Sequence, residues 1–313
     1  MKKLPFFLPF GGCRGRCVYC SQQTITGVAE VPAPEYVREV LSKLDTPREV
    51  CFFGGSFCRF QFETVKAYLD AVSECAPHGS RIRFSTYPGD LDDPKMFELV
   101  ASHNIACIEF GVQSLDPNVL ASCRREADPE EILKSIAALR DASLPVGVQL
   151  MIGLPGQTKE SSLCDITAIA KVKGELGWDL RLYPCLVIAG TELEFMMQRG
   201  EFKPLSLSEA VEWGGEFIDL ATQLGFNPIR VGLQESELLA SQVRGGPHHP
   251  ALGEMIASYS LVQKLMRASK NGPWLVPSSE ISKFTGHDDF GLGLLAENAG
   301  IKTAEAKELI KFF

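Results

Sequence analysis

Six repeats of a short β-rich run followed by an amphipathic helical stretch predict an α/β chain, a partial (β/α)6 TIM-like barrel with a small, mostly helical C-terminal extension. Two further observations support that class. Every glycine-rich or polar motif falls at the C-terminal end of an apolar run, where barrels of parallel strands carry their chemistry. The alternation then fades beyond about residue 200, and helical periodicity takes over.

The first run, Phe6 to Phe10, follows a basic start, Met1-Lys2-Lys3. A basic start before an apolar stretch is the outline of a signal peptide. Here the stretch from Leu4 is short, contains Pro5 and Pro9, and leads straight into a cysteine loop, so it reads as a first strand. Val50 to Phe53, Arg81 to Thr86, Ala106 to Val112, Val146 to Ile152 and Asp179 to Val187 are the other strand candidates. Between them, Pro34 to Leu44, Gln61 to Cys75, Pro94 to His103, Pro129 to Asp141 and Lys159 to Lys173 space their apolar residues as helices do. The β-then-α order implies parallel strands joined by right-handed crossovers. Later in the chain, Leu207 to Leu224, Gly253 to Lys270 and Ala304 to Phe313 read as helices and Pro228 to Leu233 as a short strand. The turn Gly245-Gly246-Pro247-His248-His249-Pro250 is expected to cap the barrel and touch substrate. A core over residues 1–235 and an extension over 236–313 are expected.

The chemistry is concentrated in Cys13-Arg14-Gly15-Arg16-Cys17-Val18-Tyr19-Cys20, a CxxxCxxC run directly after Gly11-Gly12. Structural zinc and ordinary iron-sulfur clusters take four protein ligands, so three in one tight loop point to a metal centre with an open position. The glycines let backbone fold around a bulky inorganic core, and the two arginines set positive charge beside it. Tyr19 is placed to shield the centre or lie against a ligand. Half of a zinc site, completed from elsewhere, is the alternative; no second CxxC or Cys/His pair has zinc spacing. The remaining cysteines, 51, 58, 75, 107, 123, 164 and 185, stand singly and read mostly as small buried apolar residues.

Other strand ends carry ligand-binding features. Gly54-Gly55-Ser56 offers exposed backbone and a hydroxyl. Ser85 closes the third run, and Glu109, Gly111 and Gln113 alternate along the fourth, so all three are expected to face the barrel's mouth. Tyr183 and Cys185, two apart on the sixth run, would face the same mouth, where either could donate a hydrogen atom to a substrate radical; packing residues are the alternative.

The cysteine spacing with its aromatic resembles the signature of the radical SAM superfamily. Gly111-Val112-Gln113-Ser114-Leu115, Arg124-Arg125 and Gln149-Leu150-Met151-Ile152-Gly153-Leu154-Pro155-Gly156 resemble the branch holding oxygen-independent coproporphyrinogen oxidase and the Elongator catalytic subunit. Arg181 to Glu194 tilts the resemblance to the Elongator side, and the similarity spans roughly residues 4–235. It implies one 4Fe-4S cluster held by Cys13, Cys17 and Cys20, with S-adenosylmethionine (SAM) completing the fourth iron. It also implies SAM contacts from Tyr19, Gly54, Gly55, Ser56, Ser85, Gln113, Arg125 and Gln149. Ser85 stands where relatives have glutamate, and Gln149 where they have aspartate or histidine, so both keep hydrogen bonding without charge. A cellular reductant such as flavodoxin or ferredoxin is implied as a partner. No cysteine follows Cys185, so no auxiliary cluster is expected in the last third.

The implied activity is reductive cleavage of SAM to a 5'-deoxyadenosyl radical that abstracts hydrogen from substrate. The Elongator subunit continues into an acetyltransferase domain and works on a tRNA wobble uridine; this chain ends at Phe313 and is expected to lack that domain. Its net charge is −8 and its isoelectric point about 5.3, which favour a small-molecule or peptide substrate over a polyanion. A tRNA nucleoside is one alternative, and a noncatalytic iron-sulfur or zinc protein another. A hydrophobic content of 45% allows a substantial core, and no apolar run has bilayer length, so no membrane partner is expected. Cysteines without paired spacing point to a reducing, cytoplasmic setting.

Overall fold

The computed structural model describes residues 1–313, apart from the side chain of Lys283. Seven parallel strands form one curled sheet whose order follows the chain: β1 (Lys3–Phe7), β2 (Glu49–Phe53), β3 (Arg81–Thr86), β4 (Ile105–Gln113), β5 (Val146–Ile152), β6 (Trp178–Pro184) and β7 (Phe226–Val231). The crossovers carry α1 (Pro34–Leu41), α2 (Phe62–Cys75), α3 (Pro94–Ala101), α4 (Pro129–Asp141), α5 (Lys159–Lys173) and α6 (Leu207–Gln223). β1 and β7 are the sheet's two edges and do not pair, so the barrel is an open, TIM-like half-barrel, as its sequence class implies.

Local chemistry explains several boundaries. Asp93 and Asp128 precede prolines and accept hydrogen bonds from Lys95 N and from Glu130 N and Glu131 N, which caps α3 and α4. Thr158 and Ser161 form a reciprocal capping box that starts α5. Along the strands, Val50, Phe52, Phe84, Ile108, Phe110 and Leu182 point outward into the helical layer and are fully buried. Each such side chain stabilises the fold by about 1.5–3 kcal/mol. The alternate residues point into the barrel, and many are polar.

Several expected segments differ: α1 ends at Leu41 rather than Leu44, and β7 runs Phe226–Val231 rather than Pro228 to Leu233. β1 ends at Phe7, not Phe10, because Phe10 and Gly12 adopt left-handed conformations in the turn that begins the cysteine loop (φ 57° and 74°). The sixth run stops at Pro184; Val187–Ile188 then pairs antiparallel with Val243–Gly245 in a separate ribbon. The terminal helix covers only Thr303–Leu309, and Ile310–Phe312 forms a strand beside Trp274–Val276.

Helix α7 (Leu252–Ala268) serves two cores. Its Leu252 and Ile256 join the barrel's core, whereas Leu261, Val262 and Leu265 join a smaller one with Trp274, Phe284 and Leu295. Among the described residues no helix is long and apolar enough to cross a membrane.

Candidate active site

A cavity of about 930 Å3 opens at the C-terminal ends of the strands. The three cysteines and Tyr19 line it from the loop after β1; Gly54, Gly55 and Ser56 line it from the loop after β2. Ser85, Gln113 and Arg125, Gln149, and Tyr183 complete the wall from β3 to β6. Of the residues singled out from sequence, Glu109, Cys185, His248 and His249 are absent from it.

The cysteine loop is locked onto the loop after β2 through backbone. Ser56 N donates to Gly11 O (2.7 Å) and Phe10 N to Gly54 O (2.9 Å). A Cβ at Gly55 would overlap Gly11 O and lie 2.7 Å from Leu8 O, and one at Gly12 would overlap Ser56 O. These glycines are therefore required by the contact between two loops, in addition to any ligand they approach. Further along, Val18 N donates to Cys123 O (3.2 Å) and Leu193 N to Val18 O (2.9 Å), which ties the loop to the far wall. Burial pushes the Cys20 thiol up to about 12 and raises Cys13 as well, so a bound metal would have to displace their protons. Among the described residues no three His, Cys, Asp or Glu side chains are arranged to hold a single metal ion.

Asp90, which sequence reasoning missed, organises the next two loops. Its carboxylate is 1% exposed and pairs with Arg59 Nε (2.6 Å). It also accepts from Ser56 Oγ (2.5 Å), Thr86 Oγ1 (2.7 Å) and Tyr87 N (2.9 Å). Ser56 Oγ accepts from Tyr87 N in turn (2.9 Å), so its hydroxyl is committed to protein partners. An aspartate in a Tyr-Pro-Gly-Asp turn carries no sequence signal beyond the turn itself.

Gln113 and Arg125 face the cavity from β4 and the loop beyond. The β4–β5 register shifts between Gly111 and Gln113, and Gln113 has φ 69°, a left-handed conformation rare outside glycine. Simple alternation along β4 therefore fails at its end: the bulge re-aims Gln113, whose buried Oε1 has no partner. Arg125 Nη1 donates to Cys17 Sγ (3.2 Å) and Nη2 to Gly111 O, while its buried Nε and the buried hydroxyl of Tyr19 are also unpartnered. Such orphaned polar atoms are rare in native interiors unless a ligand serves them.

Behind Gln113, Ser114 Oγ donates to Asp165 Oδ2 on α5 (2.7 Å), and burial pushes this carboxyl up to about 6. Because the folded value exceeds the unfolded one, the stabilising effect of its proton is complete below about pH 4 and lost as pH rises through 6. Asp165→Asn is expected to abolish that loss, on the order of 3 kcal/mol. Urea midpoints near pH 4 and pH 7 would check it: a wild-type-like difference between them would count against the assignment.

Glu109 does not reach the cavity, contrary to expectation. Only 1% of its side chain is exposed, and it accepts from Arg83 Nη1 (2.7 Å), Arg181 Nη2 (3.0 Å) and Gln149 Nε2 (2.8 Å). Arg83 continues to Glu49 and to Asp179 (3.1 Å). This ionic layer crosses the barrel interior beneath the cavity, from β2 to β6. It commits Nε2 of Gln149 to Glu109, although Gln149 still lines the cavity.

Tyr183 stands on the wall, while Cys185 is 1% exposed within an apolar cluster with Val18, Val119, Met151 and Leu154. The chain leaves the sheet at Pro184, so the period-two alternation that would have placed Cys185 beside Tyr183 no longer applies. His248 and His249 likewise stay off the main cavity. His248 Nε2 meets Glu235 (3.0 Å), and His249 Nδ1 accepts from Ala251 N (3.1 Å).

A parallel half-barrel with a thiol-rich loop after its first strand and unpartnered polar groups at its mouth is the scaffold of a SAM-dependent radical enzyme. The chain belongs to the radical SAM superfamily: that family's model matches residues 7–162, and the model of the Radical_SAM C-terminal domain matches residues 178–260. Members of the superfamily are enzymes that use a 4Fe-4S cluster and SAM. A tRNA uridine(34) acetyltransferase from Methanocaldococcus infernus is 33% identical over 243 residues, covering 71% of this chain and 45% of that protein. Among solved structures, the archaeal Elp3 of Methanocaldococcus infernus with an N-terminal deletion superposes with a TM-score of 0.60 at 24% identity, covering 85% of this chain and 64% of that one. Coproporphyrinogen III oxidase (HemN) from Escherichia coli gives 0.55 at 20% identity, covering 71% and 52%. The chain thus spans about half the length of the curated relatives it matches.

Proposed function

We propose that the protein holds a 4Fe-4S cluster through Cys13, Cys17 and Cys20, binds SAM beside it, and directs radical chemistry at a tRNA nucleoside. The observation that carries this is the convergence of three thiols with the orphaned polar atoms of Tyr19, Gln113 and Arg125 in one cavity. Such a donor set fits a ligand that brings both metal and hydrogen-bonding atoms. When bound, the cluster supplies the electron that cleaves SAM to methionine and a 5'-deoxyadenosyl radical. The chain's own part is to bind and orient. Arg125 and Gln113 offer a donor and an acceptor to SAM's polar groups, the glycines of the β2 loop bring backbone close, and Tyr183 faces the space left for substrate. A cellular reductant is needed as partner.

Overall acidity argues for a small molecule or peptide, but net charge sums over the whole surface whereas phosphate is met locally. Around this cavity Lys3, Arg14, Arg124 and Arg230 outnumber Glu126 and Glu235. Relatives named as tRNA uridine(34) acetyltransferases, at 33% and 31% identity, further support the nucleoside reading.

Anaerobic reconstitution with iron and sulfide, then SAM and dithionite, is expected to yield 5'-deoxyadenosine; its absence would sink the enzymatic reading. Bulk tRNA should be retarded in a native gel, with retardation weakening steeply as salt rises. Unshifted tRNA would return the substrate to the small-molecule or peptide class.

A further inference from the structure

Arg125 is a half-buried cation on the cavity wall for which, among the described residues, no carboxylate partner is found. Its contacts are Cys17 Sγ, Gly111 O and one face of the Tyr87 ring, 4.7 Å from guanidinium carbon to ring centroid. A second cation, Arg59, also lies over the Tyr87 ring, at 4.5 Å. Arg59 is in turn paired with buried Asp90 (2.6 Å), and Tyr87 Oη donates to Glu126 O (3.0 Å). Asp90, Arg59, Tyr87, Arg125 and Cys17 therefore form a continuous line through the loops after β2, β3 and β4 and back to the cysteine loop.

Holding an arginine partly out of water without a counter-anion is costly, and a ring face recovers only about 0.5–2 kcal/mol of that. Besides the Gly111 carbonyl, the protein atom that Arg125 touches and that can carry negative charge is the sulfur of Cys17, a thiolate when it ligates a cluster. Resting on the cluster reading above, we propose that Tyr87, clamped by Arg59 and Asp90, is a positioning residue that holds the charge of Arg125 against Cys17 and thereby sets the reduction potential of the cluster. A fixed positive charge beside a cluster favours the more negative, reduced state. Losing the clamp lets the guanidinium swing towards solvent, and the cluster becomes harder to reduce.

The test is a redox titration of the reconstituted full chain, followed by electron paramagnetic resonance. Tyr87→Leu removes the ring and is expected to shift the midpoint to more negative potential and to alter the spectrum. Tyr87→Phe keeps the ring face and loses only the bond to Glu126 O, so it should titrate like the wild type. Arg59→Met, at a side chain 22% exposed, should shift in the same direction as Tyr87→Leu and carries the test should the leucine variant not fold. A wild-type midpoint in Tyr87→Leu or, failing that variant, in Arg59→Met would overturn the proposal. So would a Tyr87→Phe shift as large as that of leucine. A wild-type chain that takes up no cluster would instead remove the cluster reading, and this inference with it.

Discussion

Gly55→Ala is expected to give a folded protein that retains iron roughly 10–100-fold less well than the wild type. The new Cβ would overlap Gly11 O and press on Leu8 O and Gly11 N, which are backbone atoms with no rotamer in which to retreat. The loop must move, and the bond from Ser56 N to Gly11 O stretches or breaks. Cys13 lies two residues beyond Gly11, so a shift of about an ångström there reaches the ligands, while the outward-facing core is untouched. Iron content after anaerobic reconstitution, beside circular dichroism, checks this. Cys17→Ala provides the reference for full loss, and iron retention equal to the wild type would show that the two loops are not coupled as described.

Glu109→Ala is expected to destabilise the fold by about 3–5 kcal/mol, the usual penalty for removing one partner of a buried ion pair. Arg83 would keep Glu49 and Asp179, but Arg181 would lose its carboxylate and stay 14% exposed, stacked 5.1 Å from the Phe53 ring. Glu109→Gln preserves the shape and part of the hydrogen bonding, so its loss should be smaller. Against a domain stability of about 5–15 kcal/mol, the alanine variant would lie near the edge of folding. Urea denaturation of the two variants measures the difference; an alanine midpoint matching the wild type would mean that the layer is replaced by water without loss.

How much of this was legible depended on whether the signal was local. The strands Arg81–Thr86 and Val146–Ile152 and the helices Pro129–Asp141 and Lys159–Lys173 have the expected bounds, because caps and apolar periodicity lie within the segments themselves. The cysteine loop and the Gly-Gly turn were recognisable by spacing. Gln113 was placed on the cavity for an incomplete reason, since its direction depends on a bulge set by the pairing of β4 with β5, and register is not written in either strand alone. Alternation along β4 turns Glu109 inward, but its partners are arginines on β3 and β6, far away in sequence, which hold it below the cavity. Asp90 and the Arg59–Tyr87–Arg125 stack escape sequence reasoning because their members come from three different loops. Short helices such as Pro117–Ser122 and Glu192–Gln198 are too brief for periodicity to reveal.

The two unpaired strands of the half-barrel have one more property. An exposed parallel edge is a template on which another chain can add a strand, and it is a common route to aggregation. β1 carries Pro5 and β7 carries Pro228, each without an N–H, and Lys2 and Lys3 begin the first edge. Neither rim therefore offers an unbroken ladder. An open barrel mouth and two interrupted rims are thus combined in one sheet, so the openness that admits a ligand does not bring with it two unbroken edges for strand addition.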